Sequence, residues 1–139
     1  MAYWLMKSEP ESWSWQQQVG KGAKGETWTG VRNHQAKLNL MKMKKGDRAF
    51  FYHSNVGKDI VGIIEIIREA KPDPTAKAGE PWVAVDVKAV EPMPKPVSID
   101  AIKTEPKLKA MILINNTRLS VQAVTADEWK IVCKIGGIK

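Results

Sequence analysis

The densest apolar stretch of this chain comes in two pieces, and it limits the fold more than any other feature. Arg48 to Ser54 and Asp59 to Glu69 are rich in Phe, Tyr, Ile and Val, and only Asn55-Val56-Gly57-Lys58 separates them. β-branched and aromatic runs joined by a short turn bearing Asn and Gly predict a hairpin. Apolar residues fill consecutive positions here, so both faces of the two strands are expected to be covered, as in a small barrel. The rest of the chain has to be arranged around that hairpin.

Tyr3 to Lys7 reads as a strand that stops at Ser8-Glu9-Pro10-Glu11, where the Ser8 and Glu11 spacing suits a capping box and predicts a short helix to about Gln18. Gly20 to Gly30 holds four glycines and reads as a loop, with Trp28 inside it. Val31, His34, Leu38 and Met41 fall on one helical face, so a helix is expected from Val31 to Lys45, stopped by Gly46. Lys71 to Pro81 is a polar connection, and Trp82 to Val90 alternates as a half-buried strand. Pro92 to Pro96 reads as a turn. Ser98 caps a short helix to about Lys103, and a helical turn follows near Leu108 to Ile112. Leu119 to Val124 is a last strand, and Thr125 and Glu128 form a capping box for a helix carrying Trp129. Strands and helices are mixed without regular alternation, so the fold class is α+β, and 139 residues suit a single domain over 1–139.

The charge narrows the partners. Twenty-two Lys and Arg against 15 Asp and Glu leave a formal +7, which suits a polyanion. The lysines are scattered, with groups at 42, 44 and 45 and at 103, 107 and 109, a spread that favours phosphate contact over base reading. The single cysteine, Cys133, excludes an internal disulfide and a thiolate metal cluster. No segment reads as a signal peptide or a membrane span, so an intracellular location is expected, cytoplasmic in a bacterium or nuclear in a eukaryote. No membrane, metal or cofactor is expected as a partner, and a monomer is expected.

Six tryptophans ask for a role. Trp4, Trp82 and Trp129 lie in expected strands or helices and read as core. Trp28 lies between glycines, beside Arg32-Asn33-His34-Gln35, and suits stacking on a base. Tyr52-His53-Ser54-Asn55 and Arg118-Leu119-Ser120 sit at strand ends, where hydroxyl and amide groups could read a base edge or merely cap turns. Chemistry has less support, because neither a GxxxxGK nor a G-x-S-x-G motif is present. One alternative is an RNA-processing or RNA-modifying enzyme using His53 and His34 as acid and base, although His34 falls on the apolar stripe. Another is a binder of free nucleotide-like small molecules.

Tyr3-Trp4-Leu5-Met6-Lys7-Ser8-Glu9-Pro10, Trp28-Thr29-Gly30-Val31-Arg32-Asn33-His34-Gln35-Ala36, Phe51-Tyr52-His53-Ser54-Asn55 and Arg118-Leu119-Ser120-Val121-Gln122 together resemble the EVE domain family. The resemblance runs from Tyr3 to about Val132. It implies a PUA-like fold, a mixed β-barrel of five to six strands flanked by short helices and related to YTH domains. It also implies a non-enzymatic nucleic-acid-binding module that takes a modified base, foremost a modified cytosine in DNA or else a modified base in RNA, flipped into an aromatic pocket. Carried over by motif, Trp28 stacks, while Ser8, Val31, Asn33, Ser54, Asn55, Leu119 and Ser120 surround the base. Lys7, Arg32 and Arg118 meet phosphate. Ala123, where the family often has proline, and the lysine-rich Gly20 to Gly25 depart from the pattern.

Overall fold

The computed structural model describes residues 1–55 and 57–138, so Val56 of the expected hairpin turn lies outside the described residues. Six strands form one mixed sheet: β1 (Tyr3–Ser8), β2 (Glu26–Thr27), β3 (Arg48–His53), β4 (Asp59–Pro72), β5 (Val83–Ser98) and β6 (Val121–Val124), in the order β2-β5-β4-β3-β1-β6. The expected hairpin is there as the antiparallel pair β3 and β4. Among the described residues only β1 and β3 run parallel, and the chain between them supplies the long crossover that parallel neighbours need.

The ladder does not close into the expected barrel. Its edges are β2 with two residues and β6 with four, too few ladder positions to join around a cylinder. Helices cover both faces instead. Phe51, Ile64, Ile66 and Val85 pack on one side beneath α1 (Trp15–Gly20) and α2 (His34–Lys42). Phe50, Tyr52, Ile60 and Ile63 pack on the other beneath α3 (Ile99–Thr104), α4 (Ile112–Asn115) and α5 (Ala126–Ile135). Successive strand residues point to opposite faces, which is why Phe50 and Phe51 belong to different cores. Trp129 of α5 lies stacked between Tyr3 and Phe50, at ring distances of 4.4 and 3.9 Å.

Four expectations about elements need correction. The capping box that opens α1 is Ser14 with Gln17, not Ser8 with Glu11, because Ser8 stays in β1 opposite His53. The inward face of α2 carries Ala36, Asn39 and Leu40, whereas Leu38 and Met41 are 46% and 54% exposed. Asn39 sets that face by donating from Nδ2 to the Val121 carbonyl at 2.7 Å, and Ala36 allows close approach. Pro92 to Pro96 continues β5. The β4 ladder passes from Pro92 to Val97 with a register shift, so the prolines between them owe it no N–H group. Finally, Trp82 precedes β5 and is only half-buried, packed against the His34 ring at 4.9 Å rather than inside a core.

Among the described residues no helix is long and apolar enough to cross a membrane, and no group of three or more His, Cys, Asp or Glu residues is placed to hold a metal ion.

Candidate functional site

A cavity of about 470 Å³ opens where β1 ends, walled by Lys7 and Ser8, by the turn holding Glu9, Ser12 and Trp13, and by residues 26–30. That last segment is brought in by β2, which pairs Glu26 with Val87 and Thr27 with Asp86 on β5. Gly25 makes the approach possible. Its φ is +73°, and a Cβ there would lie 2.4 Å from the Val87 carbonyl oxygen.

Pairing to β5 also changes the surroundings expected for Trp28. Its N–H donates to the Val85 carbonyl at 2.8 Å, and its ring meets Phe51 edge-on at 5.5 Å. Trp28 is therefore 8% exposed and part of the core while still standing in the cavity wall, and is not an open indole between glycines.

The second indole of the wall was not anticipated. Trp13 is half-buried, and its Nε1 donates to Gln18 Oε1 at 2.9 Å. Gln18 is fully buried and donates from Nε2 to the Val87 carbonyl at 3.2 Å. Ser8 Oγ donates to the Trp13 carbonyl at 2.5 Å, so this residue is held by both backbone and ring. A five-residue separation between Trp13 and Gln18 matches no helical or strand period, so pattern reading gives no sign of the pair.

Other residues singled out from the sequence fall elsewhere. Ser54 and Asn55 line a second hollow of about 300 Å³, and Lys7 borders both spaces. Val31 and Leu119 are each 6% exposed and belong to the core. Asn33 caps α2 by accepting the Ala36 N–H at 2.9 Å. Ser120 accepts the Lys7 N–H through its carbonyl at 2.9 Å, and Arg118 is exposed. Arg32 donates to Asp73 at 3.0 Å and Thr75 at 3.0 Å, and its guanidinium lies 5.8 Å from the centre of the Trp82 ring. Burial pushes the Lys7 ammonium pKa down.

The two histidines serve different elements. His53 Nε2 accepts the Trp15 N–H at 3.1 Å, and burial pushes its pKa down against an opposing pull from Asp59. His34 begins α2 and leans on Trp82. Each histidine thus has a partner on a different part of the fold, His53 at Trp15 and His34 at Trp82.

Two buried carboxylates hold the loops around the cavity. Asp73 accepts from the Gly30 N–H, Arg32 and both donors of Thr75. Asp86 accepts from Thr27 and Lys71 and pairs with Arg68. Burial alone would raise both pKa values, but these hydrogen bonds outweigh it and hold each at about 2, below the ordinary 3.8. A carboxylate with a depressed folded pKa stabilises the fold above its unfolded value, and that contribution is lost as pH falls toward 2. Each is worth about 2 kcal/mol at neutral pH. Unfolding free energy measured by denaturant titration is expected to drop between pH 4 and pH 2, and Asp73→Asn should flatten part of that drop. An unchanged pH profile in the variant would count against this role for Asp73.

A mixed six-stranded sheet with short helices on both faces and a cavity at its strand ends defines an α+β domain of the PUA-like class. Within that class the chain belongs to the EVE domain family, which it matches over residues 2–135. Rpa0253 from Rhodopseudomonas palustris, solved by NMR, is 64% identical, with a TM-score of 0.93 over 99% of this chain and 94% of that one. Thymocyte nuclear protein 1 of Rattus norvegicus is 37% identical over 96% of this chain and 73% of its own length. The crystal structure of human THYN1 protein in complex with DNA containing 5-methylcytosine is 33% identical, with a TM-score of 0.90 over 100% of this chain and 99% of that one. A YTH domain from Zygosaccharomyces rouxii, at 15% identity and a TM-score of 0.59, shares the fold alone.

Proposed function

We propose that this chain binds nucleic acid and holds one modified base, foremost a modified cytosine in DNA, flipped into the cavity walled by Trp13 and Trp28, and performs no reaction on it. The observation that carries this reading is the cavity wall itself, whose lining residues include the two tryptophans together with Ser8, Ser12, Thr29, Glu9 and Glu26. Indole faces stack on any base, hydroxyls donate or accept, and a carboxylate accepts from the exocyclic amine of cytosine. The volume of about 470 Å³ falls in the range of small-molecule sites, roughly 300–1,000 Å³.

Magnitudes are compatible with flipping. Unstacking a base costs a few kcal/mol. One stacked ring returns about 1–3 kcal/mol, and each hydrogen bond about 0.5–1.5 kcal/mol. In this reading Ser8 and Trp28 touch the base, with Val31 and Leu119 packed behind the wall as support. Asn33 and Ser120 shape the neighbouring backbone, and Ser54 and Asn55 meet the sugar-phosphate beside it. Lys7 and Arg118 face phosphate, with Arg32 giving up part of its charge to Asp73. The human THYN1 protein, related over the whole domain and solved with DNA containing 5-methylcytosine, supports DNA as the polymer.

The test is a titration of two DNA oligonucleotides that differ only in the 5-methyl group of one cytosine. A methyl group moved from water into an apolar pocket is worth about 0.8 kcal/mol, so roughly four-fold tighter binding of the methylated strand is expected. Equal dissociation constants for the two strands and for every other single-base modification screened would end this reading.

A further inference from the structure

The hollow beside the base cavity has a different chemistry. Its wall holds three lysines, Lys7, Lys58 and Lys103, together with Tyr52, Ser54, Asn55 and Thr117, with no carboxylate among the described lining residues; burial and the nearby Asp59 charge push the Tyr52 phenol pKa up. The base cavity next to it carries Glu9 and Glu26 among its walls. A phosphate anion is repelled by the second arrangement and attracted by the first. Two spaces that share Lys7 but differ in charge therefore suit two parts of one ligand, a neutral ring and the anion attached to it.

The walls of the smaller hollow are fixed by the fold. Ser54 donates its N–H to the Ser8 carbonyl at 2.9 Å, and Ile99 donates its N–H to the Lys58 carbonyl at 3.0 Å. Both Asn55 and Lys58 sit at positive φ, 66° and 50°. Lys7 donates from Nζ to the Thr117 carbonyl at 2.7 Å, and its ammonium stands 5.9 Å from the centre of the Tyr52 ring. An ammonium carries three donors, so this one retains two for a ligand. Burial disfavours its charge, and an anion brought beside it would restore that charge.

The geometry points to a phosphodiester site in this hollow, formed by Lys58 and Lys103 with Lys7, that takes a backbone phosphate adjoining the nucleotide whose base enters the cavity. The site adds affinity without reading the base, because a phosphate carries no sequence information. It rests on the proposed base-binding reading for the identity of the neighbouring nucleotide.

The experiment compares wild type with the double variant Lys58→Asn and Lys103→Gln, using methylated and plain oligonucleotides at several salt concentrations. Asparagine is chosen at position 58 because it tolerates the left-handed backbone there. Affinity for both strands is expected to fall by about the same factor, on the order of ten-fold. The slope of log K against log salt should become shallower by about 1, the signature of one lost phosphate contact. In parallel, neutral methylphosphonates replace the linkages on either side of the modified nucleotide, one at a time. One of them should reproduce the shallower slope with wild-type protein and add nothing further with the double variant. An unchanged slope in a folded double variant, or methylphosphonate losses that simply add to it, would overturn the phosphate site. Equal binding by wild type of the plain strand and of every modified strand screened would instead sink the base-pocket reading, so the two failures are told apart.

Discussion

Trp13→Ala is expected to abolish the preference for the modified strand and to weaken its binding by about 5- to 150-fold, the equivalent of the roughly 1–3 kcal/mol that a stacked base contributes. The protein should remain folded. Trp13 is half-buried, and the main structural cost of its loss is the Gln18 side-chain oxygen left without its donor, about 1–3 kcal/mol. Trp28→Ala is a poorer test of the same idea. Trp28 is 8% exposed and packs on Phe51, so its removal costs about 3–5 kcal/mol from a domain whose total stability is about 5–15 kcal/mol. Denaturant titration and oligonucleotide titration on both variants separate the effects: Trp13→Ala loses discrimination with modest destabilisation, whereas Trp28→Ala loses both. A folded Trp13→Ala protein that still distinguishes the strands would remove this ring from the site.

That contrast also marks where sequence reading reaches its limit. The β3 and β4 hairpin, the cap at Ser98 and the Thr125 and Glu128 capping box all depend on neighbours a few residues apart, and each is recoverable from spacing. Lys7, Ser8 and Trp28 were singled out by motif and share one cavity. The burial of Trp28 was not legible, because it follows from β2 reaching β5 some 60 residues later, past a glycine that lets two backbones touch. The face of α2 was misjudged for a related reason. Polarity patterns place Asn39 outside, but its side chain reaches the Val121 carbonyl 82 positions away and turns Leu38 and Met41 outward. The dependence of Trp13 on Gln18 is invisible for the same cause: a buried glutamine acquires its meaning only from a distant strand.

A large loss of stability is expected from a single added methyl group at Gly62, the fourth residue of β4. A Cβ on this residue would stand 2.4 to 2.6 Å from three atoms of the Trp15 ring, closer than any tolerable contact. Trp15 has little room to retreat, being 7% exposed and set edge-on to Phe51 at 5.5 Å, with its backbone N–H bound to His53. Gly62→Ala should therefore cost about 1–3 kcal/mol or more by overpacking. Trp15 opens α1, the helix that carries Gln18, so a displaced ring also disturbs the support of Trp13 and lowers affinity for the modified strand. Pairing Gly62→Ala with Trp15→Phe frees space where the two groups collide, and the double variant is expected to be more stable than the sum of the single losses predicts. If the losses are simply additive, the clash is not the reason glycine is required at this position, and β4 tolerates a side chain there by moving elsewhere.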